Sequence, residues 1–218
     1  MLENSLKDQF YLIQKAIPDR VQLIAVSKKH SFDKIRQIAQ YGQKDFGENY
    51  PQELIKKAKQ AQLEKLNIHF HLIGPLQRNK VKMVLPYVAS IQSLHSISLA
   101  QEIEKKAQLL NISSVPVWIQ LNLNNEESKS GFTEEELQEF IQQIPSFHSL
   151  KFQGWMAIPD PSLSLEKSFN QMKTVARHYE GAVPYRFSIG MSHDFMEAIA
   201  LGSDCIRVGS AIFGSRPV

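Results

Sequence analysis

Along the chain, short apolar runs alternate with longer stretches in which apolar side chains recur every three to four residues. Eight such runs stand at residues 21–28, 45–49, 68–74, 90–94, 116–123, 152–158, 185–190 and 205–209. They are nearly continuous rather than alternating, the pattern of strands in a sheet covered on both faces. The stretches between them read as helices. Residues 31–41 place Ile35, Ile38 and Ala39 on one face, and residues 165–179 align Leu165, Phe169, Met172 and Val175. Residues 133–143 open with Thr133 and Glu136 at capping-box spacing and then stripe Leu137, Phe140 and Ile144. A short helix at 194–201 stops at Gly202, and an extra helix is expected at 2–17, before the first strand.

Eight strands alternating with helices predict a parallel sheet with helical crossovers, and the count of eight favours a closed (β/α)8 barrel, that is, a TIM barrel, over an open doubly wound sheet. With no linker or low-complexity segment in view, residues 1–218 read as a single α/β barrel domain. Composition narrows the function classes. The formal charge of +3 is spread over the chain without a long basic run, which argues against a nucleic-acid partner. Cys205 is the only cysteine, so an intramolecular disulfide is excluded and a reducing compartment is expected. Residues 1–14 lack a signal-like apolar core, and no apolar run approaches the ~20 residues that span a bilayer. The expectation is a cytoplasmic protein without membrane partners.

In a barrel of this kind, chemistry gathers at the C-terminal ends of the strands. Polar and glycine residues cluster there: Ser27-Lys28, Gly47-Glu48-Asn49, the segment from His71 to Gly74, the segment from Asn122 to Lys129, Ser188-Ile189-Gly190-Met191-Ser192 and Arg207-Val208-Gly209-Ser210. No comparable clustering is read at the N-terminal ends. Gly190-Met191-Ser192 sits between a strand and a helix start, where glycine admits an anion and the helix offers unpaired N–H groups. Gly209-Ser210 repeats the arrangement, and loops after strands seven and eight are where barrels often place a phosphate. Lys28 ends an apolar run, so partial desolvation would favour the neutral amine that attacks an aldehyde. Lys29 competes for that role: alternation puts Lys28 with Ile24 and Val26, and Lys29 with Ala25 and Ser27, and leaves open which face is the interior. Arg207, inside an apolar strand, requires a partner, either a structural ion pair or a cofactor nitrogen. His69 and His71 share a strand face, but no third ligand of suitable spacing accompanies them, so they read as structural or pocket-lining and no metal site is expected. Cys205 and Trp118 read as core.

The ordered set Ala25-Val26-Ser27-Lys28, Phe46-Gly47-Glu48-Asn49-Tyr50, the segment from His69 to Lys80, Ser128-Lys129-Ser130-Gly131, the segment from Gly154 to Pro159, Ser188-Ile189-Gly190-Met191-Ser192 and the segment from Arg207 to Gly214 resembles the pyridoxal phosphate homeostasis protein family. The match runs in order from about residue 21 to residue 216. The resemblance implies a fold-type III barrel for pyridoxal 5′-phosphate (PLP), like the barrel domain of alanine racemase without its second domain. It implies a Schiff base on Lys28. Ser188, Gly190, Met191, Gly209 and Ser210 would surround the phosphate, Arg207 would face the pyridine nitrogen, and Asn49, Ile73 and Met156 would line the ring. Lys129, and more weakly Lys80, are implied in cofactor exchange. Trp155, where leucine is expected, and Lys29-His30 after the lysine depart from the family pattern.

An arginine at the pyridine nitrogen disfavours ring protonation and makes the ring a poorer electron sink. A racemase could compensate with a base on each face of its substrate. Tyr50 and Tyr185 are the nearest candidates for the second base; neither has a clear claim, and Tyr185 begins its strand. The reading is therefore a PLP carrier serving vitamin B6 homeostasis without turnover or catalytic residues, with PLP and PLP-dependent apoenzymes as partners. The resemblance suggests a monomer. A small PLP-dependent amino-acid racemase and a phosphosugar-binding barrel without PLP are the alternatives.

Overall fold

In a computed structural model, which describes residues 5–123, 130–159 and 162–215, eight parallel strands pair in chain order and the last closes on the first. They are β1 (Gln22–Val26), β2 (Asp45–Glu48), β3 (His69–Leu72), β4 (Ser90–Leu94), β5 (Val115–Gln120), β6 (Leu150–Met156), β7 (Phe187–Ser188) and β8 (Cys205–Val208). The pairing of Ile24 with Arg207 and of Ala25 with Val208 closes the ring, and this decides for a barrel over an open sheet. Outside it lie α1 (Leu6–Ala16), α2 (Phe32–Gln40), α3 (Pro51–Leu63), α4 (Val81–Val84), α5 (Ile97–Leu109), α6 (Glu134–Gln143), α7 (Leu165–His178), α8 (Phe195–Leu201) and α9 (Ser210–Phe213). Among the described residues, no helix is long and apolar enough to cross a membrane.

Local signals explain most boundaries. Thr133 and Glu136 form the expected capping box of α6, and Gly202 ends α8 at φ +108°, a conformation that suits glycine. Ser5 caps α1, and Pro51, whose missing N–H costs nothing there, opens α3. The seventh strand is shorter than expected, two residues rather than six: Arg186 N–H turns back to the Pro184 carbonyl, so regular pairing starts at Phe187.

The apolar side chains divide between two layers. The larger core lies between sheet and helices, with Phe46, Phe70, Ile91, Ile119 and Trp155 directed outward from the strands. Inside the barrel, Ile24, Trp118, Met156 and Cys205 form a small separate cluster with Ile73 against it. Gly154, paired with Trp118 on β6, is needed at φ +144° for the approach of β7, because a Cβ there would lie 2.3 Å from the Arg186 carbonyl oxygen.

The N-terminal floor of the barrel corrects one expectation, because it does carry a polar cluster. His71 hydrogen-bonds Ser90 Oγ through Nδ1 at 2.7 Å and Asp45 Oδ1 through Nε2 at 2.8 Å, and His69 Nδ1 stands 3.5 Å from the same carboxylate. A carboxylate can only accept, so Nε2 carries the proton. The signal was hidden because these residues are scattered singly through three strands. Burial pushes the Asp45 carboxyl up, but the hydrogen bond and charge of His71 outweigh it and hold the group below its ordinary value. A lowered carboxyl contributes stability above its unfolded value and loses that contribution as pH falls through the folded one. Asp45→Asn is therefore expected to cost about 1 kcal/mol near neutral pH. Urea melts at neutral and acid pH should show that difference shrinking on acidification, and a pH-independent difference would refute the assignment.

Candidate functional site

The C-terminal mouth is built from the strand ends and the turns that follow them. Ile24 belongs to the interior cluster, so Val26 at the end of β1 shares its face by alternation, and Lys28 follows in the turn beyond it. Ser27 faces the other way: it is fully buried, and its Oγ donates to Glu48 Oε1 at 2.5 Å on the helix side. Lys28 is half-buried, whereas Lys29 is exposed at φ +63° in the turn leading to α2. Lys28 and Lys29 both lie in the turn that His30 N–H closes on the Ser27 carbonyl at 3.1 Å, and of the two only Lys28 is half-buried.

Arg207 rises from β8 into the barrel and is only 6% exposed. Its Nη1 donates to the Ser188 carbonyl at 2.8 Å and to Ser188 Oγ at 2.6 Å, and Nη2 donates to the Ala157 carbonyl at 2.9 Å. The partners are neutral oxygens; no ion pair to a carboxylate is found among the described residues, so the structural ion pair considered from sequence is not what holds it. Burial pulls its pKa down, though an arginine remains a cation. Ser188 Oγ in turn donates to Gln92 Oε1 at 2.8 Å, and Gln92 Nε2 reaches Cys205 Sγ at 3.4 Å. Ser188 is fully buried, with Arg207 and Gln92 as its side-chain partners. Burial raises the Cys205 thiol, which fits an inert core residue.

The loops after β7 and β8 meet. Ser192 Oγ accepts from the Gly209 N–H at 2.9 Å and the Ala211 N–H at 3.3 Å, stitching the start of α9 to the loop before α8. Gly190 is buried at φ +109°, and a Cβ there would stand 2.6 Å from Ala198 Cβ. Met191 is half-buried and its N–H is taken by Asp194 Oδ1 at 2.6 Å, while Ser210 is exposed at the first position of α9. Gly209 lies 3.3 Å, measured from its ideal Cβ, from Val26 Cβ, so the phosphate-type loop borders the strand that carries Lys28.

Asn49 and Ile73 line a cavity of about 190 Å³ at the mouth together with Gly74, Gln120, Leu121 and Ile158. Met156 is fully buried beneath it in the interior cluster. A larger cavity of about 680 Å³ lies to one side between α6 and α7, sharing Leu121, Asn122 and Leu123 with the first. Lys80 closes a short 3-10 turn at Arg78–Lys80 and is half-buried. Lys129 lies outside the described residues.

The strand ends and the turns after them therefore carry a half-buried lysine, a buried guanidinium with neutral partners, and two glycine-bearing loops joined by Ser192. The residues fit PLP on chemical grounds. A guanidinium not committed to a carboxylate suits a neutral ring nitrogen that accepts, and the Ser210 hydroxyl, exposed at the first position of α9, is available to an anion. Residues 3–217 match the alanine racemase N-terminal domain family model. A pyridoxal phosphate homeostasis protein of Schizosaccharomyces pombe is 38% identical over 216 residues, covering 94% of this chain and 88% of its own. The chain belongs to the pyridoxal phosphate homeostasis protein family. The Escherichia coli K12 member of that family is 34% identical over 207 residues, covering 91% of this chain and 87% of its own. The solved structure of PipY of Synechococcus elongatus, with PLP bound, superposes with a TM-score of 0.88 at 31% identity, over 96% of this chain and 100% of that one. An alanine racemase of Clostridium difficile in complex with cycloserine, 13% identical, superposes at 0.76 over 98% of this chain and 60% of its own, a likeness of fold alone. The family and the barrel read from the motifs are borne out.

Sequence reasoning passed over Gln92 and the pair Glu48–Lys57. Gln92 had a signal: it is a large polar side chain in the middle of a strand whose five residues are all buried. Lys57 had none, since a lysine on an exposed-looking helix is ordinarily solvated. Here it is 6% exposed and donates to Glu48 Oε1 at 2.8 Å. Burial pushes the Glu48 carboxyl up to about 7 against the opposing pull of Lys57.

Proposed function

We propose that this protein binds PLP at the C-terminal mouth of its barrel and serves intracellular PLP homeostasis, with Lys28 as the point of Schiff-base attachment. The observation that supports this reading most is a buried Arg207 held by neutral oxygens at a strand end, with the Gly209 turn packed against Val26 just before Lys28, in a family whose members are named for PLP homeostasis. PLP, when bound, brings an aldehyde that amines capture and a ring that accepts electrons. Each residue then has a part. Lys28 supplies the amine. The turns at Gly190, Met191, Gly209 and Ser210, tied together by Ser192, receive the phosphate. Asn49, Ile73 and Met156 form the wall against the ring. Arg207, held by Ser188 and Ala157, meets the ring nitrogen with a fixed positive charge.

That charge is the reason for proposing a carrier rather than an enzyme. A fixed cation at the ring nitrogen weakens the electron sink that α-proton removal needs, and no second base compensates among the described residues. Tyr50 and Tyr185 are 52% and 43% exposed, and Tyr185 precedes β7 at the opposite end of the barrel from the mouth. Delivery of PLP to apoenzymes in the cytoplasm by a monomer is the physiological form of this proposal.

The test is a visible spectrum of the purified chain with added PLP, followed by borohydride reduction and peptide mapping. A band near the wavelength of PLP imines, fixed by reduction on the Lys28 peptide, is expected. Incubation with amino acids in heavy water should leave their α-protons unexchanged. A colourless protein would remove the cofactor assignment, and steady α-proton exchange would turn the carrier into a racemase.

A further inference from the structure

Lys28 stands in a turn whose backbone is held from behind. Ser27 N–H pairs with the Gly47 carbonyl at 3.0 Å, which keeps the chain on β2 one residue past the end of β1. The Ser27 carbonyl accepts from Lys57 Nζ at 2.7 Å, and Ser27 Oγ donates to Glu48 Oε1 at 2.5 Å. On the other side of Lys28, the Lys29 N–H donates to Glu53 Oε1 at 2.7 Å. Lys57 joins the two flanks, because its ammonium also donates to Glu48 Oε1 at 2.8 Å and Glu53 Oε1 at 2.7 Å. Three donors thus meet three acceptors, which saturates a lysine in a place where an unpaired charge would be costly.

The left-handed backbone at Lys29 sharpens the point. A φ of +63° at a lysine is unfavourable by about 1–2 kcal/mol and persists only where surroundings over-determine it. The bond from its N–H to Glu53 is one such constraint.

The geometry points to Glu48, Glu53 and Lys57 as positioning residues for Lys28: an ion cluster on the helix side of the sheet that fixes the Ser27–Lys29 backbone and thereby presents the Lys28 amine to the barrel mouth. A stabilising role alone would need only the contact between α3 and β2. The bonds to the Ser27 carbonyl and the Lys29 N–H go to the two residues flanking Lys28, and that targeting is what the inference rests on. Its binding arm also rests on the PLP reading above.

The test uses the full chain carrying Glu53→Ala, Glu48→Gln or Lys57→Met, with Glu102→Ala as a control in the remote α5 pair with Lys106. Two quantities are read: the rate of PLP uptake by absorbance, and the rate at which formaldehyde and borohydride methylate Lys28 relative to exposed Lys82 in PLP-free protein, by peptide mass spectrometry. Glu53 is partly exposed, with a side chain 23% accessible, so its alanine variant carries the decision whatever happens to the buried pair. Glu53→Ala is expected to slow PLP uptake about tenfold, because a misplaced amine loses its approach geometry. It should speed relative methylation of Lys28 about threefold, because the loosened turn opens to solvent. Opposite signs in the two assays are the signature of positioning, and Glu102→Ala should move neither. A lower melting temperature with both rates unchanged would overturn the inference. If the unmodified chain takes up no PLP, the functional reading fails, and the methylation ratio alone then upholds or overturns the clamp.

Discussion

Lys28→Ala is expected to abolish the PLP-dependent visible band and all borohydride-fixed label, while Lys29→Ala retains both. The two lysines are adjacent, yet the barrel assigns them different environments. Lys28 is half-buried in the turn that follows β1, the strand whose Ile24 packs inside the barrel with Trp118, Met156 and Cys205. Lys29 is exposed, and what the structure uses of it is its backbone, through the N–H bond to Glu53. Removing the Lys28 amine leaves the Gly190 and Gly209 turns and Arg207 in place, so PLP should still bind, but more weakly by about two orders of magnitude for loss of the covalent attachment. Fluorescence titration measures that residual affinity, and the melting temperature without PLP should barely change, since a half-buried mouth residue is removed. Label appearing on Lys29 or Lys80 in the Lys28→Ala chain would relocate the attachment.

The second large effect is on stability. Gly190→Ala should destabilise the chain by about 3 kcal/mol or more, the combined cost of a left-handed non-glycine residue and an overpacked core. The residue sits at φ +109°, and its added methyl would lie 2.6 Å from Ala198 Cβ, 3.2 Å from Ile206 Cγ2 and 3.3 Å from Phe195 Cα. None of these is the end of a long flexible side chain that could swing aside. In a chain of this size that loss lowers the melting temperature by roughly 10 °C. Gly202→Ala is the informative comparison: its φ of +108° is similar, but nothing lies within 4 Å of its Cβ. It should therefore lose only the backbone contribution. Equal losses at the two glycines would mean that Gly190 is required for its backbone alone and that the tight cradle beside α8 is unimportant.

Much of the barrel was legible in the sequence. A sheet strand covered on both faces is largely apolar, and a helix against it must repeat its apolar face every three to four residues, so β1, β5 and α7 announce themselves locally. The capping box at Thr133 and the stop at Gly202 were equally local, since both depend on bonds or torsions within a few residues. The mouth was readable in part, because barrels place polar strand ends at one rim, and Lys28, Gly190, Arg207 and Gly209 all lie at such ends. The polar floor of Asp45, His71 and Ser90 was not readable, because its members are separated by 19 and 26 residues and meet only when three strands pair in register.

Sequence by itself determined the alternation of elements, the kind of residue at each strand end and the family to which the chain belongs. Tertiary structure alone decided which face of β1 is the interior, because alternation gives two faces and only closure of β8 on β1 tells inside from outside. It also decided that Arg207 rests on the Ser188 and Ala157 carbonyls rather than on an acid, and that Lys57 reaches back to the Ser27 carbonyl. Those contacts join residues 19, 50 and 30 positions apart. A hydrogen bond is satisfied by position in space, and position in space follows from the closed ring rather than from any window of sequence.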